Sequence, residues 1–204
     1  MKTVSGSVSQ TYRVKGSRFI GLLFRSSSIS HFESILRDEK VEYPTASHHC
    51  FAWRIGTQSI EEYANDDGEP SGTAGLPILN QMKSAELFNT GLTVTRYFGG
   101  TKLGKSGLIE AYGHTANLCI RHARLKTIIP TVQVAIRYPY SQQNLIDTWK
   151  SHYNLIEKNA EYLEEVDLTV ACPLSEAHEF LAALQNSDHL LSFTRKDGIV
   201  YETV

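Results

Sequence analysis

The chain is poor in the residues that mark most specialised protein classes. Its 204 residues include three cysteines, two methionines and two tryptophans. Cys50, Cys119 and Cys172 lie far apart, are odd in number and form no CxxC pair. That pattern excludes a zinc ribbon and a disulfide framework, and predicts three reduced, buried thiols. Long apolar runs are missing as well. Ile20 to Phe24 is among the longest, far short of the roughly 20 residues that span a bilayer. No basic segment followed by an apolar stretch opens the chain, so no secretory signal is visible and a cytoplasmic protein with no membrane association is expected. There is also no internal repeat, low-complexity tract or long linker.

What is present is ordinary globular composition, 41% hydrophobic and 21% charged. The length suits one large domain or two small ones, each able to bury a core. The net charge of −2 conceals an asymmetry. Residues 92–126 hold six bases (Arg96, Lys102, Lys105, Arg121, Arg124, Lys126) against the single acid Glu110, whereas residues 127–204 hold 5 bases and 11 acids. A basic stretch of this kind is either a site for polyanions or a solvated helix face.

Patterning gives a mixed α and β order. Gln10–Val14 and Arg18–Phe24 read as strands about a Gly16-Ser17 turn, and Ser30 with Glu33 reads as a capping box opening a helix to Glu42. His49, Phe51, Trp53 and Ile55 alternate with their neighbours as in a half-buried strand. A loop over residues 65–75 follows, then a helix from Leu76 to Phe88 with Leu76, Leu79 and Met82 inward, capped by Thr73. Next come a strand from Leu92 to Phe98, a Gly-rich loop and a third helix from Gly107 to about Arg124. Beyond a boundary near residues 124–129, the predicted order β-α-β-β-α-β describes a ferredoxin-like split unit, with Ser175 and His178 at the start of its second helix. The fold class is therefore α+β, with domains over 1–126 and 127–204.

Gly99 to Ser106 reads GGTKLGKS, which satisfies G-x-x-x-x-G-K-[ST], the signature of a phosphate-cradling loop. A nucleotide hydrolase would also need an Asp at the end of a neighbouring apolar strand to hold Mg²⁺. None follows position 106. Asp147 lies inside a predicted helix, and Asp167 precedes its apolar run rather than ending it. A parallel sheet of repeated crossovers would fill roughly 150 residues, which the antiparallel order of the second half does not allow. Phosphate binding without hydrolysis survives this test. Gly99, Gly100 and Gly104 permit close backbone approach, Arg96, Lys102 and Lys105 add charge, and Ser106 is placed to cap the helix. The alternative is a tight turn whose glycines serve only the backbone.

Asp66, Asp67 and Glu69 crowd the preceding loop. Three carboxylates suit a hard cation or one proton-transfer acid, but Asp, Gly and Pro are also common turn residues, and Asp66 or Asp67 would then accept backbone N–H groups. His48 and His49 are adjacent on a strand, face opposite sides and do not chelate one ion together. Of Tyr97 and Phe98, either ring can stack on a base, with one of the two expected in the core. No cofactor or resident metal is implied.

Two strings carry a resemblance. One is Asp66-Asp67-Gly68-Glu69-Pro70-Ser71-Gly72-Thr73-Ala74-Gly75-Leu76-Pro77. The other is the run from Val94 to Leu108, followed by Ala111-Tyr112-Gly113. With Lys15-Gly16-Ser17-Arg18-Phe19 and His48-His49-Cys50 they resemble the IMPACT/YigZ family over residues 12 to 124. The resemblance implies an N-terminal ribosomal-protein-like β-α-β domain similar to domain IV of elongation factor G, and a ferredoxin-like C-terminal domain similar to its domain V. It also implies an association with translational control. Eukaryotic members restrain a starvation-sensing kinase pathway through partners reached partly by an extra N-terminal domain. This chain starts directly at the IMPACT-like domain, so that role is not expected here. Family members often carry small residues where this chain has Lys105-Ser106, which makes the hydrolase match accidental.

The leading expectation is a non-catalytic protein that contacts RNA or the ribosome through Arg96, Gly99, Gly100, Lys102, Gly104, Lys105 and Ser106. The alternatives are an enzyme on a phosphorylated or peptide-like small molecule using Asp66, Asp67 and Glu69, and a protein-interaction module. If the chain is an enzyme, the three acids must converge on the Gly-rich loop.

Overall fold

Near-continuous apolar strands need cover on both faces, and the arrangement of the first half follows from that. A computed structural model describes residues 1–56 and 59–203. It divides into two compact units, Met1–Thr127 and Ile128–Val204. The first contains β1 (Lys2–Val4), β2 (Ser7–Val14), β3 (Ser17–Arg25), α1 (Ile29–Glu42), β4 (His48–Ile55), β5 (Glu61–Asn65), α2 (Gly75–Ser84), β6 (Thr90–Tyr97) and α3 (Gly104–His122). It also holds the first three residues of β7 (Leu125–Tyr138), which pair antiparallel with β1. Five strands form an antiparallel sheet in the order β2-β3-β6-β4-β5.

On one face Phe19, Leu23, Cys50, Ala52, Leu92 and Val94 join Ile78, Met82, Leu108, Tyr112 and Cys119 of α2 and α3 in the larger core. On the other face Phe24, Trp53 and Ile55 close over Phe32 of α1. Fully burying a side chain of this size contributes roughly 1.5–3 kcal/mol, so α1, with Phe32 as its one fully buried residue, is held by packing more than by propensity. This second layer corrects the reading of His48–Ile55 as half-buried. Six of its eight residues are buried, because α1 covers Trp53 and Ile55 while α2 and α3 cover Cys50 and Ala52, the face that alternation assigned to solvent.

Several local expectations shift by a turn. Ser28, not Ser30, caps α1 by accepting the His31 N–H. The second helix stops at Ser84, and Leu76, expected inward, is 50% exposed in its first turn. The third helix opens three residues early, at Gly104. No side chain caps the helix that follows Ser175, so the expected contribution of Ser175 and His178 is absent there. β5, whose residues are mostly exposed, lacks the apolar pattern that would have announced it.

The second unit continues β7 and adds α4 (Gln143–His152), β8 (Ile156–Tyr162), β9 (Val166–Pro173), α5 (Ala177–Asn186), β10 (Ser192–Arg195) and β11 (Val200–Thr203). β9 lies between β8 and β7, and both β10 and β11 pair antiparallel with the other edge of β7. This is the split βαβ unit predicted from element order, with its last edge strand interrupted around the Asp197-Gly198 turn. Val134, Ile136, Leu168 and Val170 pack against Ile146, Trp149, Phe180 and Leu184. All three cysteines are free and buried. No helix among the described residues is long and apolar enough to cross a membrane.

Candidate functional site

β6 sits antiparallel between β3 and β4, so the strand that feeds the Gly-rich loop has none of the parallel context of a nucleotide hydrolase. The loop packs against the β2–β3 turn. A Cβ added at Gly99 would lie 1.9 Å from the Gly16 carbonyl carbon, a close approach only glycine allows, and the Gly99 N–H donates to Ser17 Oγ at 3.1 Å. Gly99 is therefore spent on architecture. Gly100, Lys102, Gly104, Lys105 and Ser106 are exposed. Gly104 opens α3 with φ +73°, a left-handed conformation that favours glycine. The helix has no side-chain cap and no acid in its first turn, so Ser106 lies within that turn instead of capping it.

The acidic loop is the reverse. One Asp66 oxygen accepts the N–H groups of Ala74 and Gly75 at 2.9 and 2.8 Å, and the other accepts that of Gly72 at 2.8 Å. Asp66 thus supplies the cap for α2 that was assigned to Thr73, whose hydroxyl donates to the Pro70 carbonyl instead. Asp67 accepts the His49 N–H at 2.7 Å, and its carbonyl lies 2.8 Å from His48 Nδ1. Both carboxylates tie the loop to β4 and α2. No cluster of three or more metal-ligating side chains occurs among the described residues.

Glu69 alone of the three acids reaches the Gly-rich loop. Its Oε1 accepts from Arg96 Nη1 at 2.5 Å and from the Tyr112 hydroxyl at 2.8 Å, and lies 3.9 Å from His48 Nε2. Arg96 also donates to Ser17 Oγ at 3.4 Å, so one guanidinium links the acidic loop, the β2–β3 turn and, through Ser17, the Gly99 backbone. Arg96 and Glu69 are both buried, at 4% and 9% exposed. Arg96 was expected as a surface contact. It is instead a neutralised wall residue, because β6 points it into the same layer as Val94 and Leu92. Its Nε has no hydrogen-bond partner among the described residues.

Below this pair Cys50 Sγ lies 3.3 Å from the Tyr112 hydroxyl and 3.0 Å from the Asp66 carbonyl. Burial pushes the Cys50 thiol far above its ordinary range and does the same to the Tyr112 phenol, which makes Cys50 a packed thiol and not a nucleophile.

Together these elements enclose a cavity of about 360 Å³ lined by Glu69, Pro70, Arg96, Phe98, Lys102, Leu103, Gly104, Lys105 and Leu108. The structure thus brings Arg96, Lys102, Gly104 and Lys105 together with Glu69, and leaves Asp66 and Asp67 in backbone roles. Neither member of the aromatic pair is in the core. Tyr97 is half-buried under Arg18, 4.4 Å from the guanidinium carbon to the ring centre, and Phe98 is 50% exposed at the cavity. Sequence reasoning missed Ser17 and Tyr112 as partners of the ion pair. Tyr112 follows Leu108 by one helical step of four, which places it on the same face, but its hydroxyl's partner is 43 residues away in sequence.

Residues 15–120 match the Impact N-terminal domain, and residues 136–187 match a domain of unknown function, DUF1949. The IMPACT family member YigZ of Escherichia coli (strain K12) is 32% identical over 173 residues, 84% of this chain and 85% of that protein. The IMPACT family member YvyE of Bacillus subtilis (strain 168) is 44% identical over 109 residues, 53% of this chain and 50% of that protein. A crystal structure of a hypothetical protein superposes with a TM-score of 0.63 at 30% identity, covering 96% of this chain and 97% of that one. The chain belongs to the IMPACT family.

Proposed function

We propose that this IMPACT-family protein acts in the cytoplasm in the regulation of translation, and that it binds the phosphate backbone of RNA, free or ribosomal, at the start of α3. The observation that carries the reading is the cavity in which Lys102 and Lys105 flank a helix N-terminus with no side-chain cap. A helix start carries roughly half a positive charge in unpaired N–H groups, and phosphate oxygens satisfy them. Lys102 and Lys105 are the cations that touch phosphate. Arg96, already neutralised by Glu69, positions the wall. The acidic balance of residues 127–204, 5 bases against 11 acids, confines the contact to the first unit.

Filter binding of RNA across a salt series tests this. On single strands each neutralised phosphate contributes about −0.7 to the slope of log K against log salt. Lys102→Ala and Lys105→Ala should each make the slope shallower by about 0.7. Absence of salt-dependent binding at low ionic strength sinks the reading. The enzymatic alternative retains only Glu69, since Asp66 and Asp67 do not line the cavity.

A further inference from the structure

We propose that the cavity takes one unpaired nucleotide, with its phosphate on the start of α3 and its base stacked on Phe98; this deepens the phosphate-binding reading and rests on it. A bare phosphate ion would need only the lysines and the helix start. The wall also contains Pro70, Phe98, Leu103 and Leu108, which suit a ligand with a flat apolar face. The volume of about 360 Å³ lies near the lower limit for small-ligand pockets, roughly 300–1,000 Å³. It fits one nucleotide-sized unit and not a groove that tracks many.

Phe98 is built as a platform. Arg96 lies between two rings, its guanidinium carbon 5.3 Å from the Phe19 centre and 5.5 Å from the Phe98 centre. The buried cation steadies the Phe98 ring, which is nonetheless 50% exposed. Bases stack on exposed aromatic rings with little regard to sequence, but a base inside a duplex has no free face to offer. Arg96 is 4% exposed where it lines the cavity, and its guanidinium is held by Glu69 and Ser17, so a base meets the half-exposed Phe98 ring that this fixed cation backs.

The test is a fluorescence-polarisation titration of the full chain with a short labelled single-stranded RNA at low salt, and with the same strand annealed to its complement. Phe98→Ala should weaken single-strand binding about tenfold without changing its salt slope, whereas Phe98→Trp should retain it. The duplex should bind more weakly than the single strand. Adenosine monophosphate should displace the RNA at lower concentration than ribose 5-phosphate, an arm that needs no variant. If Phe98→Ala binds as well as the unaltered protein, or ribose 5-phosphate competes as well as adenosine monophosphate, stacking is overturned and phosphate binding stands. If no salt-dependent binding occurs, both fall.

Discussion

The two helix starts in the first unit, α2 and α3, look alike in sequence and differ in what satisfies them. Each opens on a glycine, Gly75 or Gly104, has no acid in its first turn and has no capping side chain at the residue before it. Yet the N–H groups of Ala74 and Gly75 at the start of α2 are held by Asp66, eight and nine residues upstream. No such carboxylate serves α3 among the described residues; what stands beside it are Lys102 and Lys105. The same physics, positive N–H groups seeking an anion, is closed internally in one case and left open in the other. A helix end already paired is scaffold. One left unpaired beside lysines gains most from an anion supplied from outside.

The largest effect should come from breaking the joint between the two loops. Glu69→Ala leaves the Arg96 guanidinium buried without its counter-charge, and removing one partner of a buried pair typically costs about 3–5 kcal/mol. Chemical denaturation should show a loss of that order. A loss below about 1 kcal/mol, the scale of an exposed pair, would mean that the loops are not coupled through it. Next in size is Asp66→Ala, which strips the α2 start of its internal anion. Loss of a capping carboxylate and its charged hydrogen bonds should cost about 2 kcal/mol. It should also make α2 resemble α3, so that sulfate raises the melting temperature of the variant more than that of the parent. Equal responses would remove the basis of the comparison.

Sequence order disclosed most of the architecture, because the βαββαβ order and the β6-loop-α3 succession depend on local patterning. What it could not disclose was mostly long-range. Asp66 lies eight and nine residues from the N–H groups it caps, Glu69 lies 27 residues from Arg96, and Ser17 lies 79 residues from Arg96. A lysine beside a glycine is visible in a string, but whether an arginine is free or already neutralised is not. That is why Arg96 was grouped with Lys102 and Lys105 although it belongs to the wall. The hydrolase signature misled for a related reason. Its letters specify a loop, whereas the meaning of the loop depends on the sheet beneath it, and here that sheet is antiparallel.

The smallest expected effect on stability is also the sharpest test of the contrast between the two starts. Ser106 is exposed in the first turn of α3, so Ser106→Asp disturbs no packing and gives this helix the internal negative charge that α2 obtains from Asp66. An acid in the first turn stabilises a helix by about 0.3–1 kcal/mol, and thermal unfolding should shift upward accordingly. The same charge repels an incoming phosphate and competes for the N–H groups it would use. RNA affinity at low salt should therefore fall about fivefold, which corresponds to about 1 kcal/mol. Stability and affinity should thus move in opposite directions, an outcome that simple damage to the fold does not produce. A gain in stability with unchanged affinity would mean that the α3 start is open for some purpose other than holding phosphate.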